Sequence, residues 1–224
     1  MPDRKLEAVI WDMDGVIVDS GLAHYRSWRV AFRKRGVDFR EDTFQRYFGR
    51  RNDSIIRENL GRPVSDQELE EFINEKETGF RRRIARSVRA FPGALELLRG
   101  LGAAGIKTAV ASSAPPENIA LVLRRLVIKD CFDAIVYGSE VTEGKPSPQG
   151  FLLAARKLGV PPDNCMVMED AVAGVAAAKR AGMLCVAVTN THPADRLGEA
   201  DLVVASLEAV DVAALQRLFT GQPD

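Results

Sequence analysis

Ala8-Val9-Ile10-Trp11-Asp12-Met13-Asp14-Gly15 decides how the rest of the chain is read. Four apolar residues in a row suit a short strand buried on both faces, as in a parallel sheet covered by helices. Two carboxylates one residue apart follow at once. At the end of a buried strand they repel each other and lose hydration, a cost that only a cation or a proton offsets. With Mg²⁺ present, one carboxylate can attack a phosphorus atom while the metal neutralises the phosphate oxygens. The other, two residues on, can protonate a leaving group. Gly15 frees the chain to turn. A solvated Asp-x-Asp-Gly turn is the alternative, and the tetrapeptide alone does not choose between them.

The same arrangement of an apolar run closed by polar residues recurs along the chain. Thr108–Ala111 ends at Ser112-Ser113, Ala134–Tyr137 at Gly138-Ser139-Glu140, and Cys165–Met168 at Glu169-Asp170. Leu184–Val188 and Leu202–Val204 read as two further strands. Helical stretches separate them: Ala94–Leu101, Pro116–Leu126, Gly150–Leu158, and Val172–Ala181, which stops at Gly182. This alternation predicts an α/β fold with a Rossmann-like, doubly wound parallel sheet. Ligands of such sheets sit beyond the carboxyl ends of the strands, where these polar residues fall.

Residues from about 20 to 88 break the alternation. Leu22, Tyr25, Trp28 and Phe32 form an apolar stripe ending before Gly36; Asp53 is placed to cap a helix running to Gly61; Ser65-Asp66-Gln67-Glu68 is a capping box. The expected organisation is a catalytic core of residues 1–18 and 90–224 with an inserted all-helical cap of residues 19–89. The tail from Thr220 to Asp224 is expected to fray.

Three more features bear on the acidic pair. Ser112 ends a buried run, where its hydroxyl can meet a phosphate oxygen or simply cap a helix. Lys145 lies in Gly144-Lys145-Pro146-Ser147-Pro148, a loop stiffened by prolines, where it can offset phosphate charge or merely be solvated. Glu169-Asp170 supplies a second acidic pair that completes an oxygen-rich Mg²⁺ site or starts a helix in solvent. Each bland reading is reasonable singly; all of them together at strand ends are not.

In this order Asp12-x-Asp14-Gly15, Ser112, Lys145-Pro146 and Glu169-Asp170 resemble the haloacid dehalogenase superfamily of aspartate-nucleophile phosphotransferases, over nearly the whole chain. The resemblance implies that Asp12 is the nucleophile, forming an aspartyl-phosphate, with Asp14 as general acid/base. It also implies that Ser112 and Lys145 hold the phosphoryl group, and that Mg²⁺ is bound by Asp12, the Asp14 carbonyl, Asp170 and Glu169. An acid at position 14 favours phosphate-ester chemistry over dehalogenation, which needs no proton donor.

Within the superfamily the chain is most similar to the β-phosphoglucomutase-like group of phosphatases and phosphomutases. His24-Tyr25-Arg26-Ser27-Trp28 resembles that group's segment after the first motif, with a histidine near the reacting phosphate. Gly49-Arg50-Arg51-Asn52-Asp53-Ser54 resembles its cap segment with a phosphate-binding arginine, here Arg51, and Lys76 matches a sugar-facing cap lysine. Lys76 also falls within the stripe of Leu69, Phe72, Ile73 and Phe80, where a charge must snorkel out or meet an anion. Ser113 and Asn118, on the loop after Ser112, are expected to contact substrate as well. That loop, Ala114-Pro115-Pro116-Glu117-Asn118, departs from the mutase pattern: it lacks a lysine, its prolines lack amide donors, and Glu117 would repel a phosphate if it pointed inward. The departure favours a phosphatase of small phosphorylated metabolites, sugar or polyol phosphates, over a phosphosugar mutase with a bisphosphate intermediate.

Composition limits the alternatives. The 224 residues carry 31 Lys+Arg against 31 Asp+Glu, so no global field draws the chain to nucleic acid or anionic membrane. Hydrophobic content of 46% argues against disorder, and no apolar run approaches the length of a membrane span. The opening Met1-Pro2-Asp3-Arg4-Lys5 precedes an apolar run too short for a secretory signal. Cys131, Cys165 and Cys185 lack metal-finger spacing and read as buried thiols in or beside strands. A monomer in the cytoplasm is the expectation.

Overall fold

In a computed structural model, which describes residues 5–221, the apolar runs form six strands: β1 (Ala8–Trp11), β2 (Lys107–Ala111), β3 (Ala134–Val136), β4 (Cys165–Glu169), β5 (Leu184–Val188) and β6 (Leu202–Val204). The expectations for residues 1–4 and for the tail beyond Gly221 lie outside the described residues. All pairings are parallel, in the order β3-β2-β1-β4-β5-β6. Winding proceeds one way from β1 through β2 to β3, and the other way from β4 to β6. The reversal falls between β1 and β4, so the crevice for ligand opens at the carboxyl ends of those two strands. Trp11 pairs with Met168 and with Val110, and the Asp12 amide donates to the Met168 carbonyl at 3.0 Å. That register sets Asp12 beside Glu169, with Ser112 one residue further along on the β2 side.

Both faces of the sheet are covered. Val9 and Trp11 point into a core with residues of α5 (Ala94–Ala103), α6 (Pro116–Leu126) and α9 (Val212–Thr220). Ala8 and Ile10 point into another with α7 (Gln149–Leu158) and α8 (Val172–Arg180). Burial on alternate sides is why the runs are apolar at every position. Cys165 and Cys185 lie buried within strands, whereas Cys131 is partly exposed in a short 3₁₀ turn and not at a strand edge. Among the described residues no helix is long and apolar enough to cross a membrane.

The insertion after β1 is all-helical: α1 (Gly21–Arg33), α2 (Glu41–Tyr47), α3 (Asn52–Leu60) and α4 (Asp66–Ile84). It has its own aromatic cluster of Trp28, Phe32, Phe39, Phe44, Phe48 and Phe72, with Phe32 stacked on Phe39 at 4.5 Å. Each such side chain contributes about 1.5–3 kcal/mol on burial, enough to hold these helices as a body beside the core. The Ser65 hydroxyl caps α4 by accepting from the Glu68 amide at 3.2 Å, while the Glu68 carboxylate turns to Arg62 instead of closing the box. Asp53 sits inside the first turn of α3, whose cap position is Arg51, because its carboxylate binds the Arg51 guanidinium. Leu22 is 56% exposed and lies off the apolar stripe of α1, since the buried face runs through His24, Trp28, Ala31 and Phe32.

Candidate active site

Asp12 follows the last residue of β1 and is almost wholly buried. Lys145 Nζ donates to its Oδ1 at 2.7 Å and also to Glu169 Oε1. Glu169, the last residue of β4, accepts on its other oxygen from the amides of Asp170 and Ala171 at 2.8 and 2.9 Å. Those amides open the turn into α8, so Glu169 is fixed from both sides and holds Lys145 against Asp12. Burial depresses a lysine's proton affinity, but the facing Asp12 and Glu169 charges outweigh it and push Lys145 above its ordinary value. The solvated alternatives for Lys145 and for the Glu169-Asp170 pair are thereby corrected: all three side chains are taken out of water.

Glycine is required at two places around these acids. Gly15 has a φ of +88°, and a Cβ there would run into the Asp170 carboxylate. Gly174, in the first turn of α8, leaves the space that the Glu169 carboxylate fills. We expect Gly174→Ala to drive Glu169 off its amides and loosen Lys145. Its kcat/KM should fall at least about tenfold with a stability loss of about 1–3 kcal/mol, read from kinetics and thermal denaturation.

Carboxylate oxygens of Asp12, Glu169 and Asp170 lie within 4.8 Å of one another. Burial and the neighbouring negative charges raise Asp12 to about 7 against the pull of Lys145, and carry Asp170 well above the usual carboxylate range. Asp170 Oδ2 accepts from the Thr191 hydroxyl, whereas its Oδ1 is buried with no hydrogen-bond partner. A lone buried carboxylate oxygen beside two further acids is short of positive charge, and an all-oxygen donor set suits a hard divalent cation such as Mg²⁺. The cluster could hold a metal ion.

Asp14 turns the other way, towards α1. Its Oδ1 accepts from Ser20 Oγ at 2.5 Å and faces His24 Nε2 at 3.2 Å. Lys76 Nζ lies 3.0 Å from His24 Nδ1, on the other side of the ring. Burial works to raise Asp14, but His24, Ser20 and Lys76 prevail and hold it below its ordinary value, in the ionised form. His24 stacks on Phe80 at 3.8 Å.

Ser112 and Ser113 follow β2. The Ser112 hydroxyl accepts from the Ala114 amide at 3.1 Å and, with Ser113, lines the same cavity as Asp12, Asp14, His24 and Lys76. Ser113 Oγ also donates to the Gly49 carbonyl of the insertion at 3.1 Å. The cavity itself is only ≈ 40 Å³, room for about three waters. Residues of the helical insertion, His24, Lys76 and Glu77 among them, line it together with those of the core.

Two residues expected at the substrate, Arg51 and Asn118, are placed elsewhere. The Arg51 guanidinium leaves the cavity to donate to the Gly138 and Val141 carbonyls at 3.2 and 2.6 Å and to pair with Asp53. Asn118, completely buried, bridges Glu77 at 2.6 Å and Arg81 at 3.0 Å. Glu117 is exposed and does not point into the site. Lys76, 2% exposed, does meet an anion, but the anion is its own neighbour Glu77 at 2.7 Å. Ser20, Glu77 and Thr191 were not anticipated. Glu77 left a signal, since it shares with Lys76 the stripe of Ile73 and Phe80; Ser20 and Thr191 left none, because only tertiary folding brings them to a carboxylate.

Residues 6–182 match the family model of haloacid dehalogenase-like hydrolases. The chain is 30% identical to the validoxylamine A 7'-phosphate phosphatase of Streptomyces hygroscopicus subsp. limoneus, over 91% of this chain and 95% of that one. It is 35% identical to the β-phosphoglucomutase of Bacillus subtilis, over 89% of each. The crystal structure of a β-phosphoglucomutase from Clostridium difficile superimposes with a TM-score of 0.89 at 30% identity, covering 96% of this chain and 98% of that one.

Proposed function

Because the chain belongs to the haloacid dehalogenase-like hydrolase family, we propose that it is a Mg²⁺-dependent phosphatase of small phosphorylated metabolites, sugar or polyol phosphates. The observation that carries this reading is the Asp12 carboxylate, held by Lys145 at the switch point of the sheet, with a second acid, Asp14, two residues on and on a separate hydrogen-bond network.

Asp12 attacks phosphorus, the ester P–O bond breaks, and Asp14 gives a proton to the departing alkoxide. Water then attacks the phosphoryl group on Asp12, Asp14 takes its proton, and the Asp12 carboxylate is regenerated as inorganic phosphate leaves. Lys145 and the Ser112 hydroxyl steady the phosphoryl oxygens throughout. The ionised Asp14 is the form the second step needs. Two of the groups that depress it, His24 and Lys76, belong to the insertion, so its readiness to carry a proton changes as the insertion moves. Mg²⁺, when bound, supplies charge neutralisation at the phosphoryl oxygens. Asp12, the Asp14 carbonyl and Asp170 would hold it, while the oxygens of Glu169 are committed to Lys145 and the turn amides. Residues 19–89 are taken as the cap domain over a core of residues 1–18 and 90–224, closing to exclude bulk water.

The likeness to β-phosphoglucomutases supports a second reading, a phosphosugar mutase. Against it stands the start of α6, where Pro115 and Pro116 remove two amide donors from the helix end that would otherwise receive a distal phosphate. A screen of phosphorylated metabolites that measures both phosphate release and isomer formation decides between them. Phosphate release is expected, at least about a hundredfold slower in chelator and restored by Mg²⁺. Isomer accumulation without phosphate would establish the mutase, and undiminished release in chelator would remove the metal.

A further inference from the structure

The cap side of the cavity is neutralised pair by pair. Arg50 binds Glu58 through both terminal nitrogens, at 3.2 and 2.5 Å. Arg51 binds Asp53 and two core carbonyls. Lys76 is paired with Glu77. The third pair differs from the others because it is taken out of water: Lys76 is 2% and Glu77 3% exposed. Both line the cavity above Asp12.

Glu77 is fixed from both the insertion and the core. One oxygen accepts from Lys76 Nζ and from Asn52 Nδ2 of α3, each at 2.7 Å, and the other from Asn118 Nδ2 of α6 at 2.6 Å. Asn118 is in turn held by Arg81 of α4. A carboxylate with this many donors does not swing away when a ligand arrives. Burial alone would raise it, but Lys76, His24 and Asn118 bring it down to about 2, so it stays charged at any working pH.

We propose that Glu77 is a specificity-determining residue that confines the site to monophosphates with a hydroxylated leaving group and turns away substrates bearing a second phosphate. The proposal rests on the phosphatase reading and deepens it. The reacting phosphoryl group is received on the core side by Lys145 and Ser112. The cap's lysine and arginine in the cavity lining, Lys76 and Arg50, are each already committed to a carboxylate, so a second phosphate projecting to the cap wall must approach the fixed Glu77 carboxylate with no cation free to receive it there. A hydroxyl at the same place donates to Glu77 and is welcomed.

The test compares kcat/KM for a hexose 6-phosphate and the matching hexose 1,6-bisphosphate in wild type, Glu77→Gln and Glu77→Asp. Wild type should prefer the monophosphate by at least about tenfold. Glu77→Gln, which keeps the size and most hydrogen bonds but loses the charge, should narrow that preference to about threefold or less, through a lower KM for the bisphosphate. Glu77→Asp, which keeps the charge, should retain it. A merely structural role would move both substrates equally and make the two variants alike, which overturns the proposal. So does a wild-type enzyme that uses the bisphosphate as well as the monophosphate, a result that needs no variant to fold. Hydrolysis with an unaltered ratio rejects the role of Glu77 alone; no hydrolysis of any monoester rejects the phosphatase reading and the proposal with it.

Discussion

On the proposed mechanism, replacing Asp12 with asparagine should lower kcat for phosphate release by at least about 10⁴-fold, because an amide cannot take over the attack on phosphorus and no other carboxylate is placed to do so. Asp14 faces Ser20 and His24, Glu169 is tied to Lys145 and two amides, and Asp170 to Thr191. The variant should nonetheless be folded, and in the metal-free state steadier than wild type at neutral pH. Asp12 is raised from its ordinary 3.8 to about 7 by burial and by its acidic neighbours. A group raised in the folded state adds stability below its unfolded value and loses it as pH climbs through the folded one. Wild type in chelator should therefore lose stability between pH 3.8 and about 7, and the D12N variant should lose less. Thermal denaturation across that range, set beside phosphate release, separates loss of the nucleophile from loss of the fold.

Lys145→Met is the other large effect, and it acts on both quantities. Its ammonium is shared by two buried carboxylates. Removing one partner from a buried ionic cluster leaves uncompensated charge and costs about 3–5 kcal/mol. For a chain of this size that corresponds to a fall in Tm of roughly 6–20 °C. Activity should drop by about 10³-fold or more, because the phosphoryl oxygens lose their fixed cation and Asp12 loses its orientation. Restoring charge with Lys145→Arg should recover part of the stability and little of the activity, since a planar fork does not reproduce a point charge between two carboxylates. Equal recovery of both would show that Lys145 acts by charge alone.

The core was legible because burial on both faces leaves an uninterrupted apolar run in the sequence, and each run here became a strand within a residue or so at either end. The same logic placed Asp12, Ser112, Glu169 and Asp170, since the residue after a buried run in a parallel sheet lies at the ligand-binding edge. Lys145 needed no strand, only a loop whose direction prolines restrict. The insertion was harder. Its helices could be read from periodicity and caps, but which side chains meet the cavity depends on how helices dock, and sequence spacing does not encode that. Arg51 illustrates the difficulty: one residue from Arg50 and beside Asp53, it found carbonyls of the core and not the cavity. Asn118 likewise sits on the inner face of α6, where Glu77 and Arg81 claim it. Of the two outcomes open to Lys76, snorkelling out or meeting an anion, the structure shows the second, and Glu77 supplies the anion from the next position along the same helix.

The central claim is that phosphoryl groups pass through Asp12. Rapid acid quench of the enzyme mixed with a substrate labelled in its phosphoryl group, followed by peptide mapping, tests it most directly. The label should appear transiently on the peptide containing Asp12, before free phosphate reaches its steady rate, and should be absent from the D12N variant. Phosphate formed without any labelled enzyme, or label found on another residue, would contradict it.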